Sequence, residues 1–342
     1  MTHSQYELLS NQAVAACAVV YFLAVLAHVA QWALARKVEV PVAEVVNVGA
    51  GTGASAPAAP DVDDEDERVA LFGRIGVALT VVAAFVQFIA IVSRGLAADP
   101  VRVPWGNMYE FTLVGTWVVV MGYLLLYKRY QLSWLSPVVT GFVLVTLMVD
   151  VLLLYTPVVP LRDALQSPWL VIHVVAAIIA TGAFTLGGMC SAMYLVKHRW
   201  QEKQARRQEP ATRGYLARLP ELAVLDRVAY RATAFGFPIW TFAALIAGPI
   251  WAHYAWGRYW GWDPKEVWAF ITWVVYAAYL HARATSGWKG RSAAIVALVG
   301  LATLWFNFVG INFFFGSGSQ HSYAAPGPSV SQVVDRTTAG RA

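Results

Sequence analysis

The stretch WLVIHVVAAIIATGAFTLGGMCSAMYLV, residues 169–196, contains no Asp, Glu, Lys or Arg. A helix of that length exceeds the roughly 30 Å hydrocarbon core of a bilayer at about 1.5 Å per residue. The whole chain is 58% hydrophobic and only 13% charged, a composition that excludes a soluble globular domain of this size. The sequence predicts an all-α, polytopic transmembrane bundle of about eight spans: Gln12–Ala35, Val69–Val92, Phe111–Tyr127, Pro137–Tyr155, Trp169–Val196, Val228–Trp251, Lys265–Ala282 and Ala293–Phe315.

The positions of Lys and Arg predict the orientation of these spans. With the N-terminus outside, 18 of the 25 Lys and Arg residues fall in inner segments. We therefore predict that the N-terminus and the C-terminus are both extracytoplasmic. The net charge of +5 follows from this distribution, so it does not indicate nucleic-acid binding.

Composition divides the chain into four parts. Residues 1–36 form a first transmembrane span, whose apolar region is too long for a cleaved signal peptide. Residues 37–68, rich in Gly, Ala and Pro and then acidic, predict a disordered cytoplasmic linker. Residues 69–323 form the transmembrane core, with a basic inner loop at Lys197–Arg227, and residues 324–342 predict a disordered extracytoplasmic tail.

The two cysteines, Cys17 and Cys190, lie inside predicted spans and far apart in sequence. The chain contains no C-x-x-C motif. It is therefore neither a thiol–disulfide carrier nor itself a c-type cytochrome.

An aromatic segment, residues 251–268, holds five Trp and two Tyr in a predicted outer loop. An interfacial aromatic belt would explain scattered Trp and Tyr, but such a belt is dispersed over many helix ends. Concentrated indole faces suit a flat, apolar ligand. The candidate ligand-binding residues are Trp251, Trp256, Tyr259, Trp260, Trp262, Asp263 and Trp268.

Asp263 has a structural explanation as well. In Asp263-Pro-Lys-Glu266 the aspartate can cap the following helix, Pro264 fits its first position, and Glu266 can close a capping box. We therefore assign Asp263 and Glu266 no catalytic role.

The run Trp256-Gly-Arg-Tyr-Trp-Gly-Trp-Asp-Pro-Lys-Glu-Val-Trp268 resembles the "WWD" signature of haem-handling proteins in cytochrome c maturation. Three further segments narrow the resemblance to the CcsA/ResC family of system II, called CcsB in some bacteria: Ser167–His173, Asn107–Glu110 and Asn312–Tyr323. The resemblance covers residues 70–323. It assigns no role to Asn107–Glu110.

The resemblance implies a function and partners. A member of this family would carry haem b, bound non-covalently and in transit, through the cytoplasmic membrane to the outer WWD loop. There haem would be attached to the C-x-x-C-H motif of apocytochrome c by a holocytochrome c synthase that includes a ResB-type membrane subunit. Thiol-reducing maturation proteins and membrane lipid are the other expected partners.

Two histidines are candidate ligands of an outer haem iron. His173 lies five residues after Pro168, about 8 Å into the fifth span. His321 lies six residues beyond Phe315, in the outer tail. A lone outer histidine is usually solvated, but together with the aromatic loop and the family resemblance we predict that both ligate iron.

His281 predicts a second, deep haem site. It lies 17 residues after Pro264, hence about 26 Å below the outer end of its helix. One haem cannot bind it and the outer pair together. The resemblance implies that the second deep ligand comes from the ResB-type partner, and His28, at a similar depth, is a less favoured same-chain alternative.

Other functions remain open at the level of sequence. A haem exporter without ligation activity would use the same ligands. A b-type membrane cytochrome would need two pairs of span histidines at matched depths, and only His28 and His281 come close. A transporter of another solute leaves the aromatic loop unexplained.

Overall fold

We describe the fold from a computed structural model of the chain. The structure describes residues 1–35, 62–159, 167–208, 214–285 and 287–315, with only the backbone for residues 62–65. Within these ranges the secondary structure is helical and no strand occurs, which confirms the all-α prediction. The α-helices are α1 His3–Ala35, α2 Val62–Leu96, α3 Met108–Tyr127, α4 Ser136–Val149, α5 Pro168–Arg207, α6 Tyr215–Arg218, α7 Leu222–Phe242, α8 Gly248–Trp256, α9 Pro264–Thr285, α10 Arg291–Trp305 and α11 Ile311–Phe314.

Among the residues that the structure describes, seven stretches of helix are long and apolar enough to cross a membrane, which confirms a multi-pass bundle. The eighth predicted span, Lys265–Ala282, coincides with α9, which has 22 residues but does not meet the same criterion. The seven are His3–Ala35, Asp66–Leu96, Met108–Tyr127, Leu132–Leu154, Pro168–Arg207, Leu222–Trp256 and Arg291–Phe314.

Two boundaries differ from the sequence-based prediction. α2 begins at Val62, so residues 62–68, which we assigned to a disordered linker, are helical. The helix dipole favours acidic residues near a helix N-terminus, which agrees with a helix that begins shortly before Asp66 and Glu67. α5 continues to Arg207, so the start of the predicted basic loop is helical too. The rest of the linker and the predicted tail lie outside the described residues.

Three helices change pitch near one end of the bundle. α4 ends in a π turn at Asp150–Leu154, α7 passes through Ala243–Ala247 into α8, and α10 passes through Phe306–Gly310 into α11. This end also carries residues 97–107 and 257–263, and we call it the outer end, after the predicted orientation. π turns place one more residue in a turn than an α-helix does and are frequent at functional sites.

α5 is the central helix of the bundle. Of the seven candidate spans it has the largest buried share, 56%. It packs against α3, α7 and α10. On the inner side, Phe184 of α5 stacks on Tyr276 of α9 with ring centroids 3.8 Å apart, and Trp240 packs against the same cluster. α1 and α2 form a pair that packs mainly on α4 and α3. The two cysteines are buried and free.

Candidate functional site

A cavity of about 440 Å³ opens inside the outer half of the bundle. Its walls come from α3, α5, the α7–α8 helix, the start of α9 and the π turn after α10. It extends from Arg102 and Trp260 at the outer end to Thr185 and Leu304 deeper in the bundle. The volume falls within the range of small-molecule sites.

The cavity brings together residues that the sequence placed far apart. His173 on α5 lies on the same wall as Trp251 and Trp256 of α8, and Tyr259 and Trp260 come from the segment between α8 and α9. Trp251 packs edge-on against Trp256, with centroids 4.8 Å apart. A histidine, a residue type able to ligate metals, therefore lies in the lining of a cavity that also contains several Trp and Tyr rings.

More of the aromatic segment, residues 251–268, is helical than the sequence predicted. Trp251 and Trp256 belong to α8, and Trp268 belongs to α9. α8 ends at Trp256, and the next residue, Gly257, has a φ of 72°, the left-handed conformation that glycine adopts at little cost. Only residues 257–263 are non-helical between these two helices.

Three of the predicted ligand-binding residues do not line the cavity. Trp262 is 70% exposed and has a φ of 55°, a strained conformation for a residue with a side chain. Trp268 packs on Phe306, with centroids 4.2 Å apart. Asp263 is buried under the start of α9. Their roles in ligand binding stay predictions.

The predicted capping box is confirmed. The Asp263 carboxylate accepts the Lys265 N–H at 2.9 Å, and Glu266 accepts the Asp263 N–H at 3.1 Å. Glu266 also accepts the Gly261 N–H at 2.8 Å. These bonds fix the segment before α9 and with it the position of Trp260.

His173 is held by the π turn of the α7–α8 helix. Its Nδ1 lies 2.9 Å from the Ala243 carbonyl oxygen, which also accepts the Gly248 N–H. Because a carbonyl only accepts, Nδ1 carries the proton and the Nε2 lone pair can ligate a metal. The ring lies nearly parallel to Trp251, at 13° and 6.0 Å between centroids. A Cβ at position 248 would approach the His173 ring to 3.2 Å, so Gly248 makes room for it.

Glu110, in the segment to which the sequence assigned no role, is fully buried. Its carboxylate accepts hydrogen bonds from Arg102 at 2.6 and 3.1 Å, from Arg94 at 3.3 Å and from the Gly106 N–H at 2.8 Å. Asn107 caps α3 by accepting the Glu110 N–H at 2.8 Å. The spacing of Asn107 and Glu110 is that of a capping box, a signal that the sequence contained.

The other predicted iron ligands occupy different surroundings. His281 is exposed near the inner end of α9, outside the packed interior. His28 is fully buried, and its ring lies against Gly76 of α2, where a Cβ would collide with it. His321 lies outside the described residues. Within the described ranges, no group of three or more His, Cys, Asp or Glu residues could hold a metal ion by itself.

The sequence model of the family described as "Cytochrome C assembly protein" matches residues 105–317, which include the cavity-lining residues named above except Arg102. The chain belongs to this family. It is 34% identical over 261 residues to the cytochrome c biogenesis protein CcsA of Guillardia theta, covering 73% of this chain and 85% of that one. It is 33% identical over 311 residues to the CcsA of Synechococcus sp. (strain JA-2-3B'a(2-13)), covering 75% and 85%.

A solved structure shares the fold of this CcsA-family chain. The protein described as "Cytochrome c Heme Lyase CcmF" superposes with a TM-score of 0.56 over 93% of this chain, at 18% identity. The match spans 50% of that larger protein. It supports the polytopic helical bundle and carries no argument about individual residues.

Proposed function

We propose that this CcsA-family chain moves haem b across the cytoplasmic membrane and presents it in the outer cavity for attachment to apocytochrome c. Family membership assigns the chain to cytochrome c maturation. We further propose that haem binds in the outer cavity, that it moves from the inner to the outer side, and that a ResB-type subunit completes the synthase. Haem is the substrate here, bound without a covalent bond while in transit.

The hydrogen bond from His173 to Ala243 is the observation that carries this proposal. Histidines that bind metals almost always donate their other ring N–H to a carbonyl or carboxylate, which fixes the tautomer and the ring orientation. His173 has this arrangement on the wall of a cavity that is also lined by Trp251, Trp256 and Trp260. A site for iron stands beside apolar, polarisable surfaces that suit a macrocycle.

His321 is the proposed second outer ligand. Six residues beyond Phe315 can span at most about 20 Å. Phe308, seven residues before Phe315, already lines the cavity. The tail is therefore long enough for His321 to reach an iron ligated by His173.

The covalent chemistry needs little from acid or base groups. Each cysteine S–H of apocytochrome c adds across one vinyl C=C of haem, with sulfur bonding to one carbon and the proton passing to the other. The chain contributes orientation, protection of the iron and proximity of thiol to vinyl. We propose that the histidine of the C-x-x-C-H motif then displaces one outer ligand and so releases the product.

The deep site is proposed to be shared with the partner. His281 lies on an exposed face of α9 that also carries Phe270 and Val274. A haem there would be covered by a second protein, which would supply the other ligand. His28 is enclosed between α1 and α2, so the same-chain alternative and a b-type cytochrome with a His28–His281 pair both lose support.

Absorption spectroscopy of the chain purified with its partner tests the proposal. We expect a low-spin, bis-histidine spectrum of haem b, and His173→Ala should remove the outer contribution until imidazole is added. Reconstitution with a C-x-x-C-H peptide separates a synthase from an exporter, because only the synthase forms thioether bonds. Protein isolated without haem from haem-replete cells would contradict the proposal.

A further inference from the structure

Three buried N–H groups on the outer cavity wall have no hydrogen-bond acceptor among the residues that the structure describes. They are Nε of Arg102, Nδ2 of Asn107 and Nε1 of Trp260. They come from the segment before α3, the cap of α3 and the segment before α9. Buried donors are normally satisfied, so three in the lining of one cavity indicate a ligand with acceptor atoms.

The donor character of two of these groups follows from their other bonds. Asn107 Oδ1 accepts the Glu110 N–H, so the amide cannot be flipped and Nδ2 remains a donor. Arg102 uses its two terminal nitrogens on Glu110 and on the Val103 and Val159 carbonyls, which leaves Nε–H as its fifth donor. The Trp260 indole can only donate.

The guanidinium of Arg102 favours an anion as the acceptor. Arg94 and Arg102 share the buried carboxylate of Glu110. Two further carboxylates lie near Arg94: Glu7, which is 3.6 Å away and partly exposed to solvent, and the buried Asp150. A carboxylate at the Nε–H of Arg102 would form a charge-assisted hydrogen bond and could also accept from the Asn107 and Trp260 donors.

We propose that Arg102, Asn107 and Trp260 form a carboxylate subsite that binds a propionate of haem and so orients the macrocycle in the outer cavity. This inference rests on the proposed function, which supplies haem as the substrate. The propionate edge then lies at the outer end of the cavity, and the orientation of the vinyl edge is set by the same bonds. Trp260 acts through its N–H as well as through its ring.

The test compares haem with its dimethyl ester, in which both propionates are esterified while iron and vinyl groups are kept. The full chain, with His281→Ala to empty the deep site, is placed in nanodiscs and titrated with each porphyrin by its Soret absorbance. The measured quantity is the ratio of the ester Kd to the haem Kd. We expect a ratio of at least about ten, since hydrogen bonds to a charged group are the strong ones.

Two substitutions remove single donors with little other change. Trp260→Phe keeps an aromatic ring and loses the N–H. Asn107→Asp keeps the oxygen that caps α3 and replaces the amide donor by a negative charge. We expect the ratio to fall about threefold or more for Trp260→Phe and to approach one for Asn107→Asp.

Trp305→Phe is the matched control, because Trp305 lines the same cavity and its N–H is not among the unsatisfied donors. It should change both affinities by the same factor, and partition of the ester into lipid cancels in every such comparison. The subsite is overturned if Trp260→Phe and Asn107→Asp keep the wild-type ratio, or if the control shifts it equally. If neither porphyrin gives a Soret change that depends on His173, the proposed function itself fails.

Discussion

The histidines at the two ends of the bundle differ in their burial and contacts. At the outer end His173 lies inside a cavity, with its Nδ1 hydrogen-bonded and an indole beside it. At the inner end His281 is exposed on the surface of α9, and the interior beside that helix is filled by Phe184 and Tyr276. The chain thus encloses His173, the proposed outer ligand, by itself, whereas the proposed deep site at His281 would need a second protein to cover it.

Packing explains this difference. On the inner side glycines allow helices to approach closely: a Cβ at Gly236 would meet the Phe184 ring at 3.1 Å, and one at Gly300 would meet Tyr276 at 2.8 Å. On the outer side a Cβ at Gly115 would meet nothing within 4 Å. Gly236 and Gly300 therefore allow close packing on the inner side, whereas Gly115 leaves open space in the cavity.

The largest expected effect comes from replacing His173, the histidine inside the cavity. His173→Ala should lower cytochrome c assembly by roughly 100-fold or more, because loss of a ligand exceeds the 10–100-fold effects of second-shell changes. Haem at the deep site should remain. The control is His253→Ala, since His253 is exposed and does not line the cavity. Equal assembly in the two variants would show that His173 is not a required ligand.

Replacing His281, the exposed histidine, should lower the haem content of both proposed sites. If haem reaches the outer cavity through the deep site, His281→Ala should deplete outer as well as deep haem by about tenfold, because haem does not cross the hydrocarbon core unaided. Haem content is measured in protein co-expressed with the partner. His28→Ala, tested in parallel, should retain deep haem if the partner supplies the second ligand. A full outer haem in His281→Ala would rule out the sequential route.

Filling the cavity should reduce binding of outer haem but not of deep haem, without replacing a histidine. Gly115→Phe places a ring in the open space of the cavity, and we expect outer haem to fall roughly tenfold while deep haem persists. Gly141→Phe is matched, because Gly141 also has open space around it but does not line the cavity. If Gly115→Phe binds outer haem as Gly141→Phe does, the cavity is not the haem site.

The smallest effect is expected at Asp263. Asp263→Ala removes the cap of α9 and should cost about 1 kcal/mol of unfolding free energy, whereas Asp263→Asn keeps a capping oxygen and should cost little. Chemical denaturation of the purified protein measures both. Haem loss in Asp263→Asn at unchanged stability would give Asp263 a direct role in binding.

The sequence predicted those features that depend on local residue patterns. The spans follow from hydrophobic length, the depth of His173 from its distance to Pro168, and the Asp263 cap from residue spacing. It did not predict the cavity, since that depends on how α3, α5 and α8 pack. Arg102 and Asn107 were not predicted as cavity residues, because only the fold brings them into the same cavity lining as Trp260.

The π turn at Ala243–Ala247 makes the outer site depend on residue count as well as residue identity. Each helical residue advances the chain by about 100°, so the extra residue changes the phase of everything in α8. Deleting one alanine there would leave the composition almost unchanged but would rotate Trp251 and Trp256 away from the cavity. Relatives should therefore exchange small residues within this turn freely, and a gain or loss of one residue should be selected against.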